Sequence, residues 1–350
     1  MGKKVFSRRE VLQGGVAAGM GLAVGGLLGP RAVAEAAQAA QAKPLEIAVS
    51  GCLWNIGWWI DGRMGWTAAG KDFNCNITEV GPAEFDASQQ ATMTEELVAK
   101  KPDAIIMVPF DPNQLLDPAR KAMEAGIPVI CSNTDIADKK WRYGHVGMEN
   151  FPGGYLQGKY VVENLLKGKP GKAMILTGIG LENLGTRTKG IEAAFAEAKS
   201  VEVVDVVNDQ LDPNLGTQAC SASLLAHPDI NVIVGTDSSA GESASRAVKE
   251  SGRKPGEIII MGMDRDDSML VHIKEGWMAA TAVQRNFLEF YLDVYMLQNH
   301  VRQLWVKGAF PGAPSDALGK LPHQLPYVTD TGVMFCTAEN VDYFFHEKPK

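Results

Sequence analysis

The amino-acid sequence predicts an α/β protein built from two similar doubly wound parallel-sheet lobes, and three observations carry that expectation. Short apolar, β-branched runs alternate with segments of helical period along most of the chain, the pattern of open parallel sheets. The alternation restarts after Asn150-Phe151-Pro152-Gly153-Gly154, so one set of elements ends there and a second begins. Within the second set, Ile230 to Asp264 reads as a complete βαβ unit: INVIVGTD, an amphipathic stretch Ser239–Ser251, then EIIIMGMD.

Taken in order, the first set predicts strands at Leu45–Ser50, Asn76–Val80, Asp103–Val108, Ile127–Cys131 and Arg142–Val146. Helices are expected between them at about Ile60–Phe73, Asp86–Lys100 and Asn113–Ala125. The second set predicts helices Tyr155–Lys167, Thr186–Lys199 and Asn214–Ala226 around strands Ala173–Thr177 and Val201–Val207. After the βαβ unit come a strand at Ala279–Val283, a long helix from about Phe287 to Val306, a Pro/Gly-rich segment Gly308–Pro326 and a strand at Thr331–Cys336. Periodicity does not say to which lobe these late segments belong.

The first residues belong to neither lobe. Lys3, Lys4, Arg8 and Arg9 precede the apolar, Gly/Ala-rich run Val11–Gly29, which ends at Ala32-Val33-Ala34, so residues 1–34 read as a secretory signal. Phe6-Ser7-Arg8-Arg9-Glu10-Val11-Leu12 resembles the twin-arginine export motif. Residues 35–44 are Ala/Gln-rich and read as a lead-in. Cleavage would remove five of the 34 basic residues and one of the 41 acidic ones, leaving 29 against 40. That acidic balance argues against nucleic acid or anionic lipid as partners. No later apolar run is long enough to span a bilayer, and the product reads as soluble and exported. Cys52, Cys75, Cys131, Cys220 and Cys336 are odd in number and widely spaced, with no C-x-x-C, so neither a disulfide framework nor a zinc site is expected.

Catalytic motifs are missing. The chain has no G-x-S-x-G, no H-E-x-x-H and no G-x-x-x-x-G-K-[ST]. Gly178-Ile179-Gly180 has Asn183 where a dinucleotide fingerprint needs glycine. The six histidines are scattered and read as surface residues. No metal or cofactor is expected. Binding residues are better represented. Asp237 and Asp264 each close a strand, where α/β sheets hold ligands, and each could equally cap the helix that follows. Trp58 and Trp59 follow the first strand, and an indole face stacks well on the C–H face of a sugar; one of the two could instead plug the core. Arg187 could donate a fork of hydrogen bonds or pair with Asp237 or Asp264. Gln284, just past a strand, can both donate and accept.

From Leu45 to about Asp342 the chain resembles the type I periplasmic sugar-binding proteins, the ribose-binding group of receptors for ABC importers. The matching stretches are Ala104-Ile105-Ile106-Met107-Val108-Pro109, Ala125-Gly126-Ile127-Pro128-Val129-Ile130 and Asn150 with Gly153-Gly154. Leu225-Ala226-His227-Pro228-Asp229-Ile230, Gly262-Met263-Asp264 and Asp330-Thr331-Gly332-Val333 match as well. The resemblance implies two lobes joined by three crossings, near Asn150, Gln284 and Thr329, closing like a hinge. It assigns residues 45–149 with 285–328 to one lobe and 150–284 with 329–350 to the other. It implies a ligand pocket of Asn55, Trp58, Trp59, Asn133 or Asp135, Arg187, Asp237, Asp264 and Gln284. Three departures stand out: Ile56-Gly57 separates Asn55 from the tryptophans, Asn133 replaces the usual Asp, and Thr236-Asp237 replaces Asn-Asp. Ribose is therefore not assumed, and an alditol or a branched sugar fits equally.

The implied function is a periplasmic, monomeric, non-enzymatic receptor that hands a small monosaccharide or polyol to an ABC permease and serves a chemoreceptor in some cases. An amino-acid, nucleoside or signal-molecule receptor on the same fold is one alternative. A twin-arginine-exported oxidoreductase is another. Repressors with similar lobes are excluded by the export signal, the acidic balance and the lack of a DNA-binding head.

Overall fold

Two six-stranded sheets with the same strand order organise the molecule. The structure, a computed structural model, describes residues 43–51, 53–302 and 325–346. The expected export signal, most of the lead-in, Cys52 and most of the Pro/Gly-rich segment lie outside these residues.

The first sheet contains β1 (Leu45–Ser50), β2 (Cys75–Val80), β3 (Ala104–Met107), β4 (Val129–Ser132) and β5 (Gly144–Gly147). The second contains β6 (Gly171–Thr177), β7 (Val201–Asn208), β8 (Val232–Gly235), β9 (Ile259–Met263) and β10 (Ala280–Gln284). The late segment from Val328 onward splits: β11 (Val328–Asp330) joins the first sheet and β12 (Val333–Thr337) the second. The orders are β2-β1-β3-β4-β5-β11 and β7-β6-β8-β9-β10-β12. All pairings are parallel except β10 with β12, which is antiparallel. In both sheets the order reverses beside the first strand, which is where open α/β sheets form their binding crevice. The central strands are apolar on both faces, with Ala104–Met107 and Val232–Gly235 wholly buried, as strands covered by helices on both sides must be.

Around the first sheet lie α1 (Trp59–Phe73), α2 (Ala87–Ala99) and α3 (Leu116–Glu124). Around the second lie α4 (Asn150–Tyr160), α5 (Glu182–Ala198), α6 (Pro213–Ala226), α7 (Ala240–Glu250) and α8 (Asp267–Lys274). The last helix, α9 (Asn286–Val301), leaves the second sheet at Gln284 and packs back on α1 and the first sheet. The capping chemistry is local: Asp86 accepts from the Gln89 amide at 2.8 Å, and Asp212 from the Asn214 and Leu215 amides.

The elements depart from the sequence reading at several points. First, α3 begins only at Leu116, because Asp111 draws the Asn113 and Gln114 amides into a turn ahead of it. Second, α4 starts at Asn150 and runs through the glycines read as a break. Gly154 sits so close to the backbone of α5 that a Cβ there would collide with the Arg187 carbonyl, so tertiary contact overrides glycine's poor helix propensity. Third, α8 lies in a stretch for which the sequence reading gave no element.

Helix α9 carries two acids on its inner face, one turn apart. Glu289 and Asp293 are both fully buried. Ser132 Oγ donates to Glu289 Oε1 at 3.1 Å, while Glu289 Oε2 and both Asp293 oxygens have no hydrogen-bond partner among the described residues. Burial pushes Glu289 up to about 8 and Asp293 well above the ordinary carboxylate range. A raised folded-state value means that the stability tied to the neutral acid is fully present below about 4.5 and is lost as pH climbs through about 8. Glu289→Gln keeps the shape and removes the ionisation. The variant's melting temperature should therefore fall less than the parent's between pH 5 and 8, with roughly 2–4 °C regained per kcal/mol of relief. Equal pH slopes would show that Glu289 is not held neutral.

Candidate functional site

A cavity lies where the loop after β1 meets the loop after β9, so its walls come from both sheets. It is lined by Gly57, Trp58 and Asp61 on one side, and by Asp264, Arg265, Asp266, Val283 and Gln284 on the other, with Asn286 and His346 completing it.

Two residues at equivalent points of the two sheets meet at Gln284 in its wall. Asn133 follows β4 and Asp264 follows β9, the fourth strand in each sheet order. Each has a left-handed backbone, with φ of 59° and 69°. Each donates its amide to the neighbouring strand: Asn133 to Val146 at 2.9 Å and Asp264 to Ala282 at 2.7 Å. Asn and Asp tolerate this conformation because their short polar side chains find local partners. Here the partner is shared. Asn133 Nδ2 donates to Gln284 Oε1 at 2.7 Å, and Gln284 Nε2 donates to Asp264 Oδ1 at 2.8 Å. One side chain at the crossing between the sheets thus ties their two strand ends together.

Behind Asp264 the second sheet supplies a buried polar group. Arg187 is almost wholly inaccessible, and donates to the Thr236 carbonyl and, at 2.8 Å, to Asn150 Oδ1; its Nε has no hydrogen-bond partner among the described residues. Burial pulls the guanidinium below its usual value, while Asp264 and Asp237 push it back up. Burial raises Asp264, and Arg187 and the Gln284 hydrogen bond oppose the rise. Asp237 is also raised, by burial first and by the neighbouring Asp209 second. Its Oδ1 accepts from the Ser239 and Ala240 amides and from Ser239 Oγ, so it caps the start of α7, leaving Oδ2 with no hydrogen-bond partner among the described residues.

At the cavity rim an ion pair crosses between the halves. Arg265 grips Asp61 with two nitrogens, one of them at 2.6 Å, and its third reaches the Phe344 carbonyl. His346 stands 3.6 Å from Asp61 and bonds Asp267 at 2.9 Å. The Asp61 carboxyl is opposed by burial yet falls to about 2, because His346 and Arg265 hold its charged form.

The candidates read from the sequence separate clearly. Trp58, Asp264 and Gln284 share the cavity. Asn133 reaches it through Gln284, and Arg187 and Asp237 belong to the buried group beside Asp264. The expected pair of ligand-facing tryptophans is corrected to one. Trp59 is 0% exposed and packs with Trp54, Trp66 and Phe290 in the core. Asp135 is likewise committed elsewhere: Arg142 binds it through two nitrogens at 2.7 and 2.6 Å, and Lys139 stands 3.1 Å away. Asn55 is exposed and bonded to Glu84 at 3.3 Å.

Several lining residues were not singled out from the sequence. Asp61 lies one helical turn beyond Trp58, Asn286 two residues past Gln284, and Asp266 two past Asp264; the two-residue spacing beside a named candidate was the available signal. His346 is a correction, since the histidines were read as surface residues and this one is part of the cavity wall.

Comparison with known proteins adds the following. Residues 47–303 match the family described as periplasmic binding protein domain. The D-ribose/D-allose-binding protein of Pseudomonas aeruginosa is 29% identical over 209 residues, 57% of this chain and 64% of that protein. The xylitol-binding protein of Mycolicibacterium smegmatis is 27% identical over 232 residues, 65% of this chain and 64% of that protein. These matches thus span slightly under two thirds of the relatives' length. The arabinose-binding protein AraP of Geobacillus stearothermophilus superposes with a TM-score of 0.74 at 26% identity, covering 87% of this chain and all of that one.

The rim ion pair has a pH signature. Asp61 is depressed in the fold, so its contribution is present above about 3.8 and is lost as pH falls through about 2. His346 is raised, chiefly by Asp61, so its share is full below about 6.5 and fades as pH rises through its folded value. Asp61→Asn should cost about 2 kcal/mol at pH 6 and far less near pH 2, read as a melting-temperature difference that closes on acidification. A difference independent of pH would contradict an ionic role.

Proposed function

Because the chain belongs to the periplasmic binding protein domain family, we propose that it is an exported solute receptor of an ABC importer, binding a small monosaccharide or polyol. The observation that carries this reading is the shared cavity, where Trp58 from one half meets Asp264 and Gln284 from the other. An indole offers a flat apolar face to ring C–H groups, while a carboxylate and an amide accept and donate to hydroxyls. The relatives whose names specify ribose, allose, xylitol or arabinose support the same substrate class.

Function follows from two rigid bodies and a hinge. Among the described residues, those of 45–149 with 285–302 and 325–330 move as one lobe, and those of 150–284 with 333–346 as the other, turning about crossings near Asn150 and Gln284 and between Asp330 and Val333. Closure brings Trp58 onto one face of the ligand, and Asp264, Asp237, Arg187 and Gln284 onto its hydroxyls. The protein catalyses nothing; it delivers the ligand to a permease, and a chemoreceptor is a second partner for the closed form. The export signal with its paired Arg8 and Arg9 supports delivery to the periplasm by the twin-arginine route. A free amino acid is the poorer ligand, because Arg187 already gives two of its three nitrogens to Thr236 and Asn150.

A hydroxyl buried without a partner costs about 1–3 kcal/mol, so epimers should differ by roughly tenfold or more in affinity. The test is a thermal-shift screen of monosaccharides and alditols. A true ligand at a hundred times its dissociation constant should stabilise by about 3 kcal/mol. Trp58→Ala and Asp264→Asn should abolish the shift while the ligand-free proteins still melt cooperatively. Silence across the panel, with amino acids raising the melting temperature instead, would overturn the substrate class.

A further inference from the structure

The cavity wall holds more acceptors than its own donors can serve. Arg265 is spent on Asp61 and on the Phe344 carbonyl. Gln284 Nε2 is spent on Asp264, and Asn286 Nδ2 on the Trp58 carbonyl at 3.3 Å. That last bond turns Asn286 Oδ1 the other way; it is buried, the residue is only 5% exposed, and the oxygen has no hydrogen-bond partner among the described residues. Asp266 is the second unserved group. Its carboxylate makes no hydrogen bond or ion pair to any described residue, although it lies in the cavity wall. Gly57, from the opposite half, approaches so closely that a Cβ there would stand 2.5 Å from Asp266 Oδ1.

A tally of charge isolates the same residue. Asp61, Asp264 and Asp266 line the cavity with Arg265 and His346. Arg265 is fixed on Asp61, and His346 lies between Asp61 and Asp267. Arg187 offsets Asp264. Among the described residues Asp266 is the lining acid with neither a side-chain hydrogen bond nor an ion pair, and a half-buried carboxylate in that position is either protonated or neutralised by what binds. An ammonium group brings three donors, no acceptor and a positive charge, and it is also attracted to the face of an indole such as Trp58.

We propose that the ligand is a monosaccharide or polyol bearing a protonated amino group, with Asp266 as the counter-ion of that amine and Asn286 Oδ1 as a second acceptor. This rests on the polyhydroxyl reading above and narrows it. Asp266 in the unliganded protein is raised to about 6 by burial first and then by Asp264, with Asp267 and Glu242 adding to the rise and His346 opposing it. Asp61 and Arg265 face the same space as a closed pair. The carboxylate is therefore mostly ionised at pH 7 and mostly neutral at pH 5, and affinity for an ammonium should fall about tenfold between them.

The experiment is calorimetric titration of the full mature chain at pH 7 and pH 5 with matched pairs: glucosamine and glucose, galactosamine and galactose, 1-amino-1-deoxysorbitol and sorbitol. An amino member should bind at least about tenfold tighter than its hydroxyl partner at pH 7, and lose that advantage at pH 5. Asp266→Asn should remove both the preference and the pH dependence, so that amino and hydroxyl members bind alike at pH 7 and pH 5. Its ligand-free melting temperature, equal to or above the parent's at pH 7, shows that the fold survives. Hydroxyl members that bind as well as or better than amino members overturn this proposal and leave the sugar reading standing. An amino preference that persists in Asp266→Asn also overturns it, by assigning the charge to another acid. Silence from every member removes the polyhydroxyl reading together with this one.

Discussion

The Gln284 side chain is the point on which the two halves depend. Its carbonyl accepts from Asn133 at the end of β4, and its amide donates to Asp264 at the end of β9. Only a side chain with a donor and an acceptor at one terminus can do both. A glutamate would repel Asp264, and an apolar residue would leave two buried polar groups unpaired, each at a cost of about 1–3 kcal/mol. The left-handed turns at Asn133 and Asp264 aim both partners at Gln284, and the equivalence of β4 and β9 puts those turns at matching heights. The cavity inherits its geometry from this chain of three side chains, because Trp58 and Asp61 enter it from the opposite wall against Asp264 and its neighbours.

Charge is distributed with the same economy. The acids that stabilise the arrangement are the paired ones: Asp61 with Arg265 across the rim, and Asp135 with Arg142 inside the first half. The acids around the cavity floor and behind it are under-paired, and burial raises Asp237, Asp264, Asp266 and Glu289 alike. Under-paired acceptors near a cleft destabilise the empty protein and become favourable contacts once a donor-rich guest arrives. Stability and affinity therefore pull on the same groups with opposite sign. The rim ion pair, which bridges the halves at the cavity mouth, counters part of that cost.

Much of the fold was legible because β-branched runs and helical periods alternate cleanly, and the strands were placed within two residues at most ends. The second βαβ unit and the strand-end position of Asp264 could be read directly. What escaped had tertiary causes. Helix α4 runs through Gly153-Gly154 only because α5 presses against it there, a contact that no local propensity encodes. Trp58 and Trp59 look identical in sequence, and both reach Phe290 of a distant helix; only Trp59 is enclosed by Trp54 and Trp66 as well. Asn133 and Asp135 stood as alternatives for one position, and Arg142, seven residues on, claims Asp135. Arg265, Asp266 and Asp267 received no role from the sequence, since nothing in the chain announces that Asp61 and Gly57 will face them.

The most direct test is a crystal structure of the protein with whatever compound remains bound through purification, its mass determined in parallel. The account predicts one polyhydroxylated molecule enclosed between the halves, with Trp58 against its ring or chain and Asp264 on its hydroxyls. A compound held by one half alone, or seated away from the wall shared by Trp58 and Asp264, would contradict it.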